Sequence, residues 1–574
     1  MRRWGFTTWL LAGGVLVALA LVIAQVVHLR HQACDDAYIT YRFADNLVDG
    51  MGLRWNPTSP PCEGYTNLLH LLLIAALHCM GVDLPVASLA VSIAAVLGIV
   101  AVLATVIPWR ERTAPLVALP TFVLLATQDL RVHASSGLET VLFGFLAVAF
   151  VALMPRLLGP ARQVGWGMLC GALGLALVWA RPDGGLVVVM ALAVVTFVCW
   201  REKNNWRGAV ACGLTFAVAL LAYVAWKLVY FGHLLPNPYY MKATQPGWPG
   251  LGPTLEYLSA YRWELLVGVG VMAGAAVRRG RAAPARQRDR LVPMITLAVF
   301  GAWLAYTARI VHEIGFSHRF SWHLIPLLTF GATAAASGLL GRIGARPWIA
   351  AASWLVLALE LGTVAWRVPS ALSSLGSPAT VPPLSQQFER MGVALHDFGR
   401  GWDLRILCSN AGITPFLSRA HHIDPAGLTD DGFCRRTPEA ERNLYVATMR
   451  PDVILWYLPP ASAGATSLAD DPRLSSSRYI REWCLAAPES MDEGTKVSIR
   501  GMPMDHTSQQ LFDQAVFLRE FTTLVGEMSC GQHRWRMFAY VVRTSPSHDA
   551  LVKFLSERVD IAAADVDPDG WPPK

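Results

Sequence analysis

Charge is what this chain has least of. Of its 574 residues only 16% are Asp, Glu, Lys or Arg, whereas a soluble domain carries about a quarter. With 54% hydrophobic residues and a mean hydropathy of +0.39, the shortage excludes an ordinary soluble globular protein. The near-uncharged runs are about 17 to 25 residues long, the length that crosses about 30 Å of hydrocarbon. A cleavage signal is also missing. The opening "MRRWGFTTWLLAGGVLVALALVIAQVVHLR" starts basic like a signal peptide, but its apolar run is too long and has no small-x-small site, so it reads as an uncleaved signal anchor. No Cys-x-x-Cys or His-x-x-x-His spacing suggests a zinc site. The net charge of +7 does not point to nucleic acid, because the basic residues share no amphipathic face with interleaved aromatics. They fall in short gaps between apolar runs, where they set topology.

Spans are predicted at 5–29, 84–107, 113–129, 138–155, 165–180, 184–200, 208–231, 262–277, 291–307, 320–341 and 347–366, eleven in all. With the N-terminus inside, the inner gaps are "WRER", "PRLLGPAR", "WREKNNWR", "VRRGRAAPARQRDR" and "GRIGARP", nearly all dominated by Arg or Lys, as the positive-inside rule requires. The apolar segment "NLLHLLLIAALHCM" at 67–80 is too short for a normal span and reads as a re-entrant or interfacial helix on the outer side. Were it to cross fully, every later loop would invert and "VRRGRAAPARQRDR" would lie outside.

The polar stretches "CDDAYITYRFADN", "EGYTN", "RVHASSGLET", "RPDG", "GHLLPNPYYMKA" and "ARIVHEIGFSHRFSWH" then all face one compartment, which describes one polar cavity at the outer ends of the helices. Beyond residue 366 the composition changes. A Ser, Pro and Gly rich linker over 367–384 leads into residues 385–574, where no span occurs. There "LRILCS", "PDVILWYL" and "RWRMFAYVVR" read as buried strands and "SQQFERMGVALHDFG" as a helix, so the chain divides into a membrane domain at 1–366 and a soluble α/β domain outside it. Of ten cysteines, Cys34 and Cys62 bracket the first outer loop, and a bridge between them would staple it, free thiols being the alternative.

In that loop Ala37, Tyr41, Ala44 and Val48 have helical spacing, which predicts a short helix on the membrane surface with Asp35 and Asp36 at its start. An acid at a helix start often serves only as a cap. A cap needs one aspartate, which leaves the second free to deprotonate an alcohol or to hold a divalent cation such as Mg, Mn or Ca. Either role suits glycosyl transfer, where a base takes the acceptor proton and positive charge meets the departing phosphate. Lys242, Arg319, His318 and His312 are candidates for that charge, with interfacial contact to lipid head groups as the plainer reading. Glu139 and Asp183 stand at the edges of apolar helices, where each is a sugar-hydroxyl ligand or the partner of Arg181. Asn237, Tyr239 and Tyr240 offer amide and aromatic contacts in a stretch that Pro236 and Pro238 are expected to hold extended. Glu63, Tyr65, Asn67 and His133 complete the candidate set of donor and acceptor ligands.

The run "DDAYITYRFADNLVDGMGLRWNP" followed by "CEGYTNLLHLLL", with "SSGLET", "RPDG" and "LLPNPYYMKA" after it, resembles the GT-C class of membrane glycosyltransferases. It is most similar to the branch that contains the mycobacterial terminal arabinofuranosyltransferase and the pilin arabinosyltransferases. The resemblance covers residues 1 to about 366, and "NAGITPFLSRAHHIDPAGLTD" of the soluble domain is similar too. It implies a multi-pass enzyme of the bacterial plasma membrane whose active site and soluble domain face the periplasm. Such an enzyme moves a sugar from a polyprenyl-phosphate donor to a glycan acceptor by inverting displacement. The implied base falls on Asp35 or Asp36, with Asp35 favoured as the first acid of the pair, and the implied sugar is arabinofuranose. A mannose-type hexose transferase and a lipid-linked sugar flippase are the alternatives; polar residues gathered at one face, not along mid-helix positions, disfavour transport.

Overall fold

A computed structural model of the chain describes residues 6–159, 162–203, 205–242, 247–277, 284–312, 316–343, 347–376, 383–408, 410–434, 449–458, 522–530 and 535–564. The helices of the N-terminal two thirds are α1 (Phe6–His28), α2 (Asp35–Val48), α3 (Leu68–Cys79), α4 (Leu84–Ala104), α5 (Ala114–Ala126), α6 (Gln128–Ser135), α7 (Thr140–Leu153) and α8 (Gln163–Ala180). They continue as α9 (Gly184–Arg201), α10 (Arg207–Tyr230), α11 (Asn237–Lys242), α12 (Leu251–Ala260), α13 (Arg262–Val277), α14 (Pro284–Arg309), α15 (Leu324–Ile343) and α16 (Pro347–Gly376). After them come α17 (Pro383–Asp397), β1 (Arg405–Cys408), α18 (Ile413–Ser418), β2 (His421–Ile423), α19 (Asp431–Cys434), β3 (Val453–Leu458), β4 (Thr522–Cys530), β5 (Trp535–Val542) and α20 (His548–Ala564).

The chain forms two compact units. The first comprises Met1–Ala33, Thr66–Leu234 and Lys242–Ala379, and the second Cys34–Tyr65, Leu235–Met241 and Thr380–Lys574. In the first unit every predicted span coincides with a helix. Among the described residues seven helices are long and apolar enough to cross a membrane, and nine if two bent pairs are counted. One pair, Ala114–Ala126 with Gln128–Ser135, bends by 52°, and the other, Leu251–Ala260 with Arg262–Val277, by 82°. Within the described residues of α15 and α16 lie two further apolar stretches, Leu324–Leu340 and Ala351–Thr363. The protein is a multi-pass membrane protein. α3 has 12 residues, roughly 18 Å at 1.5 Å per residue, well short of the hydrocarbon thickness. Helices close on one another where side chains are absent: a Cβ at Gly167 of α8 would lie 2.5 Å from the Gly208 carbonyl oxygen of α10, and one at Gly171 would lie 2.7 Å from that of Cys212. This small-xxx-small spacing lets two backbones approach without a gap.

The second unit contains a five-stranded sheet in the order β2-β1-β3-β5-β4. β1 is parallel to β2 and β3, β5 is antiparallel to β3 and β4, and β4 carries an irregularity between Leu524 and Gly526. The three strand segments and the helix read from sequence are all present. Their core is Phe388, Met391 and Leu395 of α17, Ile406 and Cys408 of β1, Val453 and Leu455 of β3, Val541 of β5 and Leu551 and Leu555 of α20.

Three expectations are corrected. α2 forms where predicted, but Tyr41, Phe43, Ala44 and Asn46 are buried inside the second unit, so the α/β domain, not a membrane surface, covers the helix. The stretch with Pro236 and Pro238 is not extended: α11 begins at Asn237, because a proline in the first turn loses no intrahelical bond. The segment read as a linker from 367 is helical to Gly376. Of the two readings left open for Cys34 and Cys62, the structure has the unbridged one, and Cys62 donates to the Thr429 carbonyl at 3.4 Å.

Candidate active site

α2 starts after Cys34, whose backbone is extended and whose side chain makes no cap bond. Asp35 and Asp36 occupy the first turn, where the exposed amides favour negative charge. Asp35 does not cap its own helix. Its carboxylate accepts from the Ile413 amide at 2.7 Å, the Gly412 amide at 3.2 Å and the Asn410 side-chain amide at 3.2 Å, so it caps α18 from 375 residues away. Gly412 is required there, since a Cβ would fall on the Asp35 main-chain carbonyl. Burial and the like charge of Asp36 push the Asp35 carboxyl up to about 6, against the opposing pull of the three donors.

A cation at this pair finds little to hold it. Both Asp35 oxygens already accept N–H donors, and no group of three or more His, Cys, Asp or Glu suited to a metal occurs among the described residues. The donor set fits amide hydrogens, not a divalent ion that wants six or more oxygens.

Two turns further along α2, Arg42 is buried and donates to the carbonyls of Trp55 (3.0 Å), Pro415 (2.6 Å) and Ala420 (2.8 Å) and to Asn56 Oδ1 (2.9 Å). Its guanidinium also stacks between Trp55 and Trp402, 4.4 and 4.7 Å from the ring centres. Trp55 Nε1 in turn meets His422 Nδ1 at 2.9 Å, and His422 Nε2 meets the Cys408 carbonyl at 2.8 Å. An indole only donates, so Nδ1 is the acceptor and Nε2 carries the proton. Burial pushes this imidazole down to about 3, which keeps it neutral. Asp424 anchors the following turn through the Thr429 amide and hydroxyl and the Ala426 amide. None of Arg42, Asn56, His422 or Asn410 was singled out from sequence; the "NAGITPFLSRAHHIDPAGLTD" motif that holds three of their partners was the available signal.

The other predicted residues of this unit are dispersed. Glu63 and Asn237 are joined through main chain, Asn237 N donating to the Glu63 carbonyl at 2.9 Å. Tyr65 packs edge-on against Phe43 at 5.0 Å. Tyr239 and Tyr240 are exposed. The Lys242 side chain lies outside the described residues.

In the helical unit the structure joins four predicted residues directly. Arg181 grips Asp183 through two bonds of 3.0 and 2.8 Å and reaches Glu139 at 3.1 Å; the other Glu139 oxygen accepts from Asn67 at 3.0 Å. Glu139 precedes α7, and Arg181 and Asp183 bracket the break between α8 and α9. The guanidiniums of Arg181 and Arg319 both face the Phe320 ring, at 6.0 and 5.2 Å. His133 meets the Ser317 carbonyl at 2.9 Å and stacks on Phe316. His312 donates to the Thr307 carbonyl, 2.9 Å away, and His318 packs against Tyr257 and Tyr261. A cavity of 400 Å³ with His312, His318, Glu256, Tyr257, Phe316 and Ser321 among its lining residues opens beside them; Glu256 and Tyr257 carried no sequence signal, and Ser321 lies in the outer stretch "ARIVHEIGFSHRFSWH" without having been singled out.

No family model matches this sequence, and no curated protein matches it. Solved structures do. The undecaprenyl phosphate-bound crystal structure of ArnT from Cupriavidus metallidurans matches 79% of this chain and 94% of its own, with a TM-score of 0.53 at 13% identity. The fold is GT-C-like. The apo form of the same protein matches with a TM-score of 0.52 at 16% identity, over 78% of this chain and 92% of its own. AglB from Archaeoglobus fulgidus, an oligosaccharyltransferase in complex with an inhibitory peptide and a dolichol-phosphate, gives 0.44 at 10% identity over 77% and 69%.

Proposed function

We propose that this GT-C-like protein is a glycosyltransferase that moves a sugar, arabinofuranose in the first instance, from a polyprenyl-phosphate donor to a glycan acceptor. The observation that carries the reading is the fold shared with ArnT, a protein crystallised with undecaprenyl phosphate, joined to an acidic pair at the start of α2. In the reaction an acceptor hydroxyl oxygen attacks the anomeric carbon and its bond to the phosphate oxygen breaks with inversion. The hydroxyl proton passes to the base and the polyprenyl phosphate leaves as an anion. Asp35 takes the proton. Three donors fix its position, one of its about four lone-pair sites is still open, and a carboxyl raised to about 6 is a stronger base than an ordinary aspartate. Arg181 is committed to two carboxylates. No step needs a metal.

The decisive experiment offers the purified protein decaprenyl-phosphoryl arabinofuranose and a polyprenyl-phosphoryl mannose beside neutral oligosaccharide acceptors. Transfer of the pentose is expected; transfer of mannose alone moves the assignment to the hexose enzymes, and transfer of neither ends it. The basic gaps support a periplasmic position for the acidic pair. In whole cells a cysteine at exposed Gln128 is then expected to react with an impermeant thiol reagent, and one at exposed Lys203 to stay unlabelled.

A further inference from the structure

The 400 Å³ cavity of the helical unit has no part in the proton transfer, yet its lining is built for a ligand. Tyr257 and Ser321 are each 1% exposed, and neither the Tyr257 hydroxyl nor the Ser321 hydroxyl has a hydrogen-bond partner among the described residues. A buried polar group left unpaired costs about 1–3 kcal/mol, and a hydroxyl-bearing ligand would relieve that cost at both. His312 donates from Nε2 to the Thr307 carbonyl, which leaves Nδ1 as an acceptor. Burial holds this imidazole below its usual range, so it is neutral. Glu256 adds a carboxylate acceptor, and Phe316 and Tyr257 add ring faces.

The combination selects against a phosphate. Among the described lining residues no Lys or Arg occurs, and Glu256 would repel an anion. Two hydroxyls, a neutral imidazole acceptor, one carboxylate and aromatic rings suit a neutral polyol ring, which offers hydroxyls at its edges and C–H groups on its faces. The volume falls in the range of small-molecule sites. The wall that must admit it has unusual backbone: Ser317 and His318 hold φ of 46° and 55°, a region that side-chain-bearing residues occupy at a cost and that clusters at ligand clamps.

We infer that this cavity binds a sugar residue of the neutral glycan acceptor, and not the lipid-phosphate donor. The inference rests on the glycosyltransferase reading and names the acceptor subsite within it. Direct binding tests it without turnover. Full-length protein in detergent is titrated with pentasaccharides of arabinofuranose, mannose and galactose by saturation-transfer NMR, and with undecaprenyl phosphate by native mass spectrometry. Wild type is expected to bind at least one pentasaccharide. Tyr257→Phe and Ser321→Ala are each expected to weaken it about fivefold and the double variant roughly 25-fold, with undecaprenyl phosphate binding unchanged. Removal of an unpaired hydroxyl leaves thermal stability equal or higher, so a loss of sugar affinity cannot be charged to misfolding. The inference is overturned if wild type binds none of the pentasaccharides, if the double variant binds as wild type does, or if it loses undecaprenyl phosphate instead. Sugar binding with no transfer from any polyprenyl-phosphate sugar would sink the enzymatic reading and leave the site.

Discussion

Arg181 in the helical unit and Asp35 in the α/β unit are both charges drawn into protein, but they are satisfied in opposite ways. Arg181 is met by two full negative charges, on Asp183 and Glu139. Asp35 is met only by neutral N–H donors and has a second negative charge, Asp36, beside it. Ion pairing fixes protonation states and holds helices in register, whereas neutral donors orient a carboxylate without removing its appetite for a proton. The helical cluster is therefore a positioning device. On the proposed reading the Asp35 carboxylate is the one that exchanges a proton.

The largest test of that contrast removes the cation. Arg181→Met leaves two carboxylates, each nearly buried, with nothing to balance them, a loss of about 3–5 kcal/mol for a broken buried pair. Membrane-inserted protein is expected to lose its sharp melting transition in a fluorescence-monitored thermal scan. A variant that melts like wild type would show that the cluster is better solvated than its geometry implies, and the contrast with Asp35 would fall.

Asp35→Asn comes next. The amide keeps one oxygen for the Ile413 amide and the Asn410 side chain, which share Oδ1, and loses the Gly412 bond to the other oxygen, so folding survives at a cost of about 1–2 kcal/mol, while transfer from the lipid-linked donor drops by about 10²–10⁴ with the loss of a general base. Retained melting with lost turnover is the expected pair of results. Full activity in Asp35→Asn with an inactive Asp36→Asn would hand the proton to Asp36 and make Asp35 the cap of α18 alone.

Sequence pattern reached this contrast from one side only. The apolar runs, the 3.6-residue spacing in α2 and the alternating strands are local signals, and the helices and sheet follow them. The pairing of Arg181 with its neighbour Asp183 was legible for the same reason, being two residues away. The partner of Asp35 was not, because Ile413 lies 378 residues on and no local period reports a contact of that range. Nor did any pattern announce that α2 would be enclosed by the α/β unit: its half-apolar face suits a membrane surface as well as a protein one, and only Arg42, an odd residue for a lipid-facing stripe, hinted at polar company. Pro238 misled in a related way, since a proline in a first turn and a proline in an extended segment look alike until the helix after it is seen. Tyr257 and Ser321 were not singled out because an unpaired hydroxyl is a property of surroundings, not of sequence.

The smallest expected effect sharpens the comparison most. The Asp35 carboxyl stands at about 6 mainly through burial, with the charge of Asp36 adding to the rise. A base works only when ionised, so kcat/KM is expected to be level above pH 6 and to fall about tenfold per pH unit below it. Folding moves the other way: a carboxyl raised in the folded state favours folding as pH drops from 6 toward its unfolded value, so acid loss of activity in that window is not unfolding. Asp36→Asn takes away the like charge and leaves the burial and the three donors in place. The acid limb should then shift to lower pH while its slope stays at one proton. A limb that does not move would mean that Asp36 is screened from its neighbour, and a variant with no activity left to titrate would mean that Asp36, not Asp35, is the base.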